Sequence, residues 1–155
     1  MKNYILLLIT ISFLSCNNPN SRYEVNQSVL KLSESLKSDK EADFRELIAN
    51  RTATMPADLH YDILHRLYEQ SKLRERTDQL ELIDENNHMG QTVYRLPYFQ
   101  GVDSLTGITN INLILYFGPE DLFPKNKFSD FETEITYDKD LRRQILEEKL
   151  NVDLK

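Results

Sequence analysis

The sequence is poor in the residues that most enzyme sites need. Cys16 is the only cysteine among 155 residues, so the chain cannot form an intramolecular disulfide. There is no Gly-rich phosphate loop, GxSxG elbow, HExxH motif, CxxC pair or EF-hand loop. We therefore predict no cofactor, no metal site and no catalytic residue, with an enzyme as the minority hypothesis.

The chain also lacks an excess of positive charge. Without residues 1–15 it carries 18 Lys and Arg against 25 Asp and Glu, a net charge of −7. Nucleic-acid binding depends on cationic side chains that meet phosphates. This balance argues against a nucleic-acid partner and against an anionic membrane surface as a direct partner.

No apolar run is long enough to cross a bilayer. The longest, residues 5–14, has about ten residues, whereas a spanning helix needs roughly 20. Its length and the preceding Lys2 are typical of a secretory signal peptide. We predict that residues 1–15 are such a peptide and that the chain is exported.

The end of this run is Phe13-Leu14-Ser15-Cys16, which resembles the lipobox of bacterial lipoproteins, with Phe13 where Leu is usual. The resemblance implies that Cys16 is acylated with fatty acids such as palmitate and becomes the first mature residue. Several acyl chains suffice for stable anchoring. The expected location is the cell envelope, lipid-anchored to a bacterial membrane, with the mature domain in the periplasm or at the cell surface.

The remaining residues fit one domain. Residues 16–24 comprise the lipidated cysteine and a polar tether, and residues 25–155 are of ordinary single-domain length, without internal repeats. Apolar residues at helical spacing predict a first helix; they are Val25, Val29, Leu32 and Leu36. Ser38 and Glu41 form a capping-box pattern that predicts a second helix, carrying Phe44, Leu47 and Ile48.

A third helix is predicted over residues 56–76, with Pro56 and Asp58 in its first turn. Its expected apolar arc comprises Leu59, Ile63, Leu64, Leu67 and Tyr68, with His60 inside it. The opposite face holds Asp58, Asp62, His65 and Glu69. These side chains suit either a metal site or an ordinary solvent-exposed face, and the absence of a second ligand cluster favours the exposed face.

Alternating apolar residues then predict four strands. They cover about 80–84, 91–96, 110–117 and 128–137, and Pro97 is expected to limit the second. The 110–117 strand should bury Ile111, Leu113, Leu115 and Phe117. The last strand should expose Asp130, Glu132 and Glu134, which stand too far apart along the strand to chelate one cation. A final helix capped by Asp138 or Asp140 should have Leu141, Ile145, Leu146 and Leu150 on its apolar side.

This order predicts an α+β fold, with N-terminal helices packed on a curved four-stranded antiparallel sheet and a C-terminal helix. It resembles the NTF2-like and cystatin-like proteins over residues 25–137, and Lys127-Phe128-Ser129-Asp130-Phe131-Glu132 is similar to the start of the last strand in many NTF2-like chains. The resemblance implies a long helix in the concavity of the sheet. The chain departs from it in lacking a strand between its second and third helices and in its terminal helix, and no catalytic motif of the family is present.

Three functions remain open. One is a non-enzymatic binding or accessory module for a protein or a small apolar ligand, and another is an immunity or inhibitor protein that neutralises a toxin or hydrolase. The third is an NTF2-like enzyme that uses a pocket histidine. The candidate pocket residues are His60, Tyr94 and Tyr98. The candidate partner site is the loop of residues 119–127 together with the mouth framed by Tyr98 and Phe99. Its Leu122 and Phe123, between Pro119 and Pro124, either bind a partner or plug the open end of the sheet onto the third helix.

Overall fold

The computed structural model describes residues 22–49, 55–119 and 121–153, without the side chains of residues 55–59 and 151–153. Cys16, the predicted signal peptide and the side chains of Asp58 and Leu59 thus lie outside the described residues. The helices are α1 (Arg22–Lys37), α2 (Glu41–Glu46), α3 (Met55–Ser71), a 3₁₀ helix (Leu73–Gln79) and α4 (Lys139–Asp153). The strands are β1 (Glu81–Asp84), β2 (Thr92–Gln100), β3 (Ile108–Phe117) and β4 (Asp130–Tyr137). Among the described helices, none has both the length and the hydropathy to span a bilayer.

The predicted α+β class is confirmed. The four strands form one open antiparallel sheet in chain order, α3 lies against β2 and β4, and α1 packs on α3. The apolar stripe of α1 is enclosed as expected; its members Val25, Val29, Leu32 and Leu36 are all buried. Helix α1 begins at Arg22, inside the segment expected to be tether.

Strand β3 is the centre of the sheet and of the core. It pairs with β2 on one side and β4 on the other. Its predicted inward residues, which are Ile111, Leu113, Leu115 and Phe117, are fully buried. Each such side chain contributes about 1.5–3 kcal/mol by leaving water, so this strand supplies much of the hydrophobic stabilisation.

Strand β2 is longer than predicted, because Pro97 lies inside it. Strand β1 pairs only with residues 93–95, so at Pro97 one side of β2 is a free sheet edge and no inter-strand donor is lost there. The pairing register shifts between Pro97 and Phe99. With this irregularity, Tyr98 and Phe99 are both buried.

Strand β1 does not have the predicted buried face. Leu82 and Ile83 are both exposed, and the pairing with β2 slips between Leu82 and Asp84. Leu80, just before the strand, is the residue that reaches the core. The alternating pattern identified a strand here, but a short edge strand has a partner on one side only and need not bury either face.

The connection from α1 to α2 differs from the predicted capping box. Lys40 occupies the N-cap of α2 and makes no side-chain cap hydrogen bond, so Ser38 does not cap this helix. Asp39 adopts a left-handed conformation, with φ of 50°, just before it. The chain therefore turns at Asp39, two residues before α2 begins at Glu41.

Helix α3 ends before the predicted residue 76. Lys72 has a left-handed conformation with φ of 51°, and the 3₁₀ helix follows it. This turn carries Leu73 and then Leu80 back to the core, where both are buried. Tertiary burial of these two leucines ends the α-helix that its local pattern would have continued.

Helix α4 confirms one predicted cap and corrects its predicted apolar side. Asp138 Oδ1 accepts hydrogen bonds from the backbone N–H groups of Asp140 and Leu141, each at 3.0 Å, so Asp138 is the cap. Leu141 and Ile145 are half-buried, whereas Leu146 and Leu150 are exposed. The amphipathic pattern predicted the helix correctly but not how much of its apolar side the domain covers.

Candidate functional site

The candidate pocket residues lie on α3 and β2, but the two tyrosines are part of the core. Tyr98 is fully buried and its hydroxyl donates to the carbonyl oxygen of Leu64 on α3. Burial raises the pKa of Tyr98 above its ordinary value, so it stays protonated. Tyr94 is buried, and its ring meets Phe117 edge to face at 6.0 Å. Tyr98 therefore joins α3 to the sheet, whereas Tyr94 packs between two strands of the sheet.

His60 is half-buried on α3. Its Nδ1 is buried and has no hydrogen-bond partner among the described residues. Leaving such a nitrogen unpaired carries a desolvation cost. His60 is therefore a member of the predicted pocket whose buried polar atom has no partner among the described residues, and its role there stays a prediction.

The polar face of α3 is only partly the solvent-exposed surface that was predicted. Asp62 and Glu69 are exposed, but His65 is half-buried and its Nδ1 donates to the carbonyl oxygen of Leu36 at 2.6 Å. That carbonyl belongs to the last turn of α1, where backbone acceptors lack intrahelical partners. His65 therefore joins two helices. Among the described residues, no group of three or more His, Cys, Asp or Glu side chains is placed to hold a metal ion.

The core also contains a residue that the helical wheel missed. Tyr61 is buried, and its ring meets Phe44 of α2 at 5.1 Å, edge to face. The buried side of α3 thus runs through Tyr61, Leu64 and Leu67, and Ile63 is only half-buried. The buried side of α3 therefore differs from the predicted apolar arc, because Phe44 of α2 packs against Tyr61. Periodicity alone does not reveal this aromatic partner.

The predicted partner loop, residues 119–127, exposes one of its two apolar side chains. Leu122 is 70% exposed, which excludes a plug role for this residue. Phe123 is half-buried. The backbone N–H groups of Leu122 and Phe123 both donate to the carbonyl oxygen of Pro119 at 3.0 Å, so a compact turn presents Leu122 outward.

The outer face of the sheet carries the predicted row of carboxylates, but only Glu132 and Glu134 are exposed, and Asp130, expected to be exposed, is half-buried. Glu134 lies 3.4 Å from Arg95 Nε and accepts a hydrogen bond from Asn112 at 3.2 Å. Burial, followed by the charge of Glu132, raises the pKa of Tyr116 to about 12. Burial also raises the pKa of Asp130. Glu134 is thus held by a cation and an amide, while the exposed Glu132 is hydrogen-bonded to the Tyr116 side chain.

The sequence patterns did not indicate Asp103, a carboxylate in the β2–β3 loop that accepts several side-chain hydrogen bonds. It is buried, accepts two hydrogen bonds from Arg66 and one from the hydroxyl of Thr106, and its backbone closes the turn to Gly107. The only local signal was an Asp followed by Thr three residues later between two glycines, which is typical of a side-chain-stabilised turn. Arg66 lies 37 residues away along the chain, and no local pattern indicated that it would pair with Asp103.

Comparison of the chain with protein-family models, curated proteins and solved structures finds no match.

Proposed function

We propose that this chain is a membrane-anchored lipoprotein that acts as a non-enzymatic binding or accessory module in the cell envelope. The sequence Phe13-Leu14-Ser15-Cys16 supports the anchor. The observation that supports the binding role is Leu122, an apolar side chain that is 70% exposed in a turn closed by backbone hydrogen bonds. A turn whose backbone is already ordered loses little backbone entropy when a partner covers its apolar side chain.

The anchor is tested by replacing Cys16 with Ala in the full chain. The variant should no longer incorporate labelled fatty acid and should leave the membrane fraction, because the acyl chains supply the anchoring energy. The matched control is Ser15→Ala, which keeps a small residue before the cysteine. A Cys16→Ala variant that remains with the membrane contradicts the proposal.

The binding role is tested by cross-linking the chain in its own membrane. Leu122→Ser with Phe123→Ser should reduce the recovery of a cross-linked protein partner, and Leu122→Ser alone should leave the unfolding midpoint nearly unchanged, because Leu122 is exposed. Leu146→Ser is the control, an exposed leucine on α4. Unchanged cross-linking by the double variant removes residues 119–127 as the partner site.

A second candidate is an immunity or inhibitor protein, favoured by the acidic outer face of the sheet. Exposed Glu132 and half-buried Asp130 flank Tyr116 there, which suits a basic partner surface. This candidate requires that a captured partner be a toxin or hydrolase and that the purified chain lower its activity. Glu132→Gln should weaken that inhibition, and an unaffected partner activity counts against this candidate.

A further inference from the structure

A cleft that shares only Asn126 and Lys127 with the predicted partner loop lies where α1, α2, the 3₁₀ helix and the segment before β4 meet. Its volume is about 580 Å³, within the range of roughly 300–1,000 Å³ typical of small-molecule sites. It is lined by residues of all four segments, among them Lys31, Asp43, Arg74 and Lys127. No sequence motif indicated it, because these residues are distant along the chain.

The cleft is cationic although the mature chain has a net charge of −7. Its lining includes five Lys or Arg residues and three Asp or Glu residues. Two of the cations are paired within it: Arg74 with Glu34 at 3.0 Å and Lys40 with Asp43 at 3.6 Å. This leaves three lysines and one carboxylate of the lining without such a pair.

The three remaining cations are Lys31, Lys37 and Lys127. No ion pair joins any of them to another described residue. Three lysines that line one cleft without an ion pair concentrate positive charge there, and this charge attracts an anion. Glu46 is the carboxylate of the lining outside the two pairs.

The scaffold under these lysines is built from buried contacts. The backbone N–H of Phe128 donates to the carbonyl oxygen of Leu47 at 2.8 Å, and the N–H of Ala49 donates to the carbonyl oxygen of Phe128 at 2.7 Å. These bonds join the end of α2 to Phe128, which follows Lys127. Leu47, which lines the cleft, is buried. Lys31 and Lys37 extend from α1, whose apolar side is buried in the core. The lysine backbones are therefore held in place before any ligand arrives.

From this arrangement we infer that the cleft binds a small organic phosphate that also carries hydrogen-bond donors. Lysine ammonium groups act as point charges that suit phosphate. The carboxylates of Glu34, Asp43 and Glu46 provide acceptors for an amine or hydroxyl of the same ligand. The volume exceeds what a bare phosphate needs and accommodates one small molecule. Such a phosphate occurs in soluble metabolites as a monoester and in phospholipid headgroups as a diester.

The test is calorimetric titration of the detergent-solubilised full chain at low ionic strength. The probes are phosphorylethanolamine, a monoester, and glycerophosphoethanolamine, the deacylated diester headgroup. If the monoester binds alone, or more tightly than the diester, the ligand class is a soluble phosphate. If only the diester binds, the ligand is a lipid headgroup. Failure of both probes to bind overturns the inference.

Variants locate the binding. Lys31→Gln, Lys37→Gln and Lys127→Gln together should weaken it at least about tenfold, because three charge-assisted contacts are lost. Lys139→Gln, Arg143→Gln and Lys149→Gln on α4 make the same change in net charge and should have little effect. Equal weakening by both triple variants overturns the inference, because it shows that overall charge alone is responsible.

A measurement on the unmodified chain covers the case in which the cleft variant fails to fold. Limited acetylation in the presence of glycerol phosphate, a monoester with hydroxyl donors and no amine to consume the reagent, followed by mass spectrometry, should show that the bound phosphate protects Lys31, Lys37 and Lys127 and leaves Lys139 and Lys149 reactive. Equal protection of both sets contradicts the assignment of the cleft.

Discussion

Arg66 and Asp103 join α3 to the β2–β3 loop through two parallel hydrogen bonds of 2.9 and 2.7 Å. The Asp103 side chain is 5% exposed and that of Arg66 is 34% exposed, so the carboxylate depends on this partner for its solvation. Removing the cation leaves a buried charge with fewer donors. The pair therefore couples the order of the loop to the position of α3.

Replacing Arg66 with Ala should lower the free energy of unfolding by about 1–3 kcal/mol, the cost of leaving a buried acceptor without its donor. Chemical denaturation of the two proteins measures this difference. Arg143→Ala, which removes an exposed i,i+3 ion pair with Asp140, is the control and should cost under about 1 kcal/mol. Equal losses for the two variants would show that Asp103 is solvated without Arg66.

The same pair predicts the acid dependence of stability. The hydrogen bond from Arg66 is the largest of the effects that hold the pKa of Asp103 below its ordinary value of 3.8. A lowered pKa in the folded state means that this stabilisation is fully present above pH about 4 and is lost as the pH falls through the folded-state value. Asp103→Asn should therefore flatten the decline of unfolding free energy below pH about 4, measured by denaturation at a series of pH values. If the unfolding free energy of Asp103→Asn declines below pH about 4 as steeply as that of the unmodified chain, Asp103 is not a source of the acid dependence.

The central position of β3 predicts a contrast between the two faces of the sheet. Leu113→Ala or Leu115→Ala should destabilise by about 2–5 kcal/mol, since both side chains are fully buried. Glu132→Ala, on the exposed outer face, should change stability by under about 0.5 kcal/mol. Denaturation curves of the three variants provide the comparison, and a Glu132→Ala loss as large as that of Leu115→Ala is incompatible with this orientation of the sheet.

Gly107 predicts a backbone effect at the start of α4. Its φ is +73°, and an added Cβ would lie 3.2 Å from the backbone nitrogen of Arg142. Gly107→Ala should cost about 1–3 kcal/mol, the usual cost of a strained backbone conformation, and more if α4 must shift. Gly101→Ala, whose φ is outside this region and whose Cβ would meet only the Phe99 ring, should cost less in the same thermal or chemical melt. Equal costs would contradict this prediction, because they would show that the backbone at Gly107 accepts a Cβ without the strain of its positive φ.

The sequence by itself determined the element types and the buried faces that local periodicity encodes. The stripe from Val25 to Leu36 and the inward residues of β3 were predicted correctly, because a helix or strand whose one face is buried repeats apolar residues at the period of its backbone. Asp138 was identified as one of two possible caps, because capping is also a local interaction. The candidate binding residues Leu122 and Phe123 were also visible as apolar side chains between two prolines.

Only the tertiary structure decided which of these residues meet. Lys31, Lys37 and Lys127 line one cleft, and Arg66 reaches Asp103, because α1, α3 and the sheet bring together segments far apart in sequence. Pro97 lies within a strand because β1 is too short to pair beside it. Tyr61 is buried because Phe44 packs against it. Local periodicity reports how a segment repeats along its own axis, whereas these contacts depend on the relative placement of elements, which is set by the packing of the whole core.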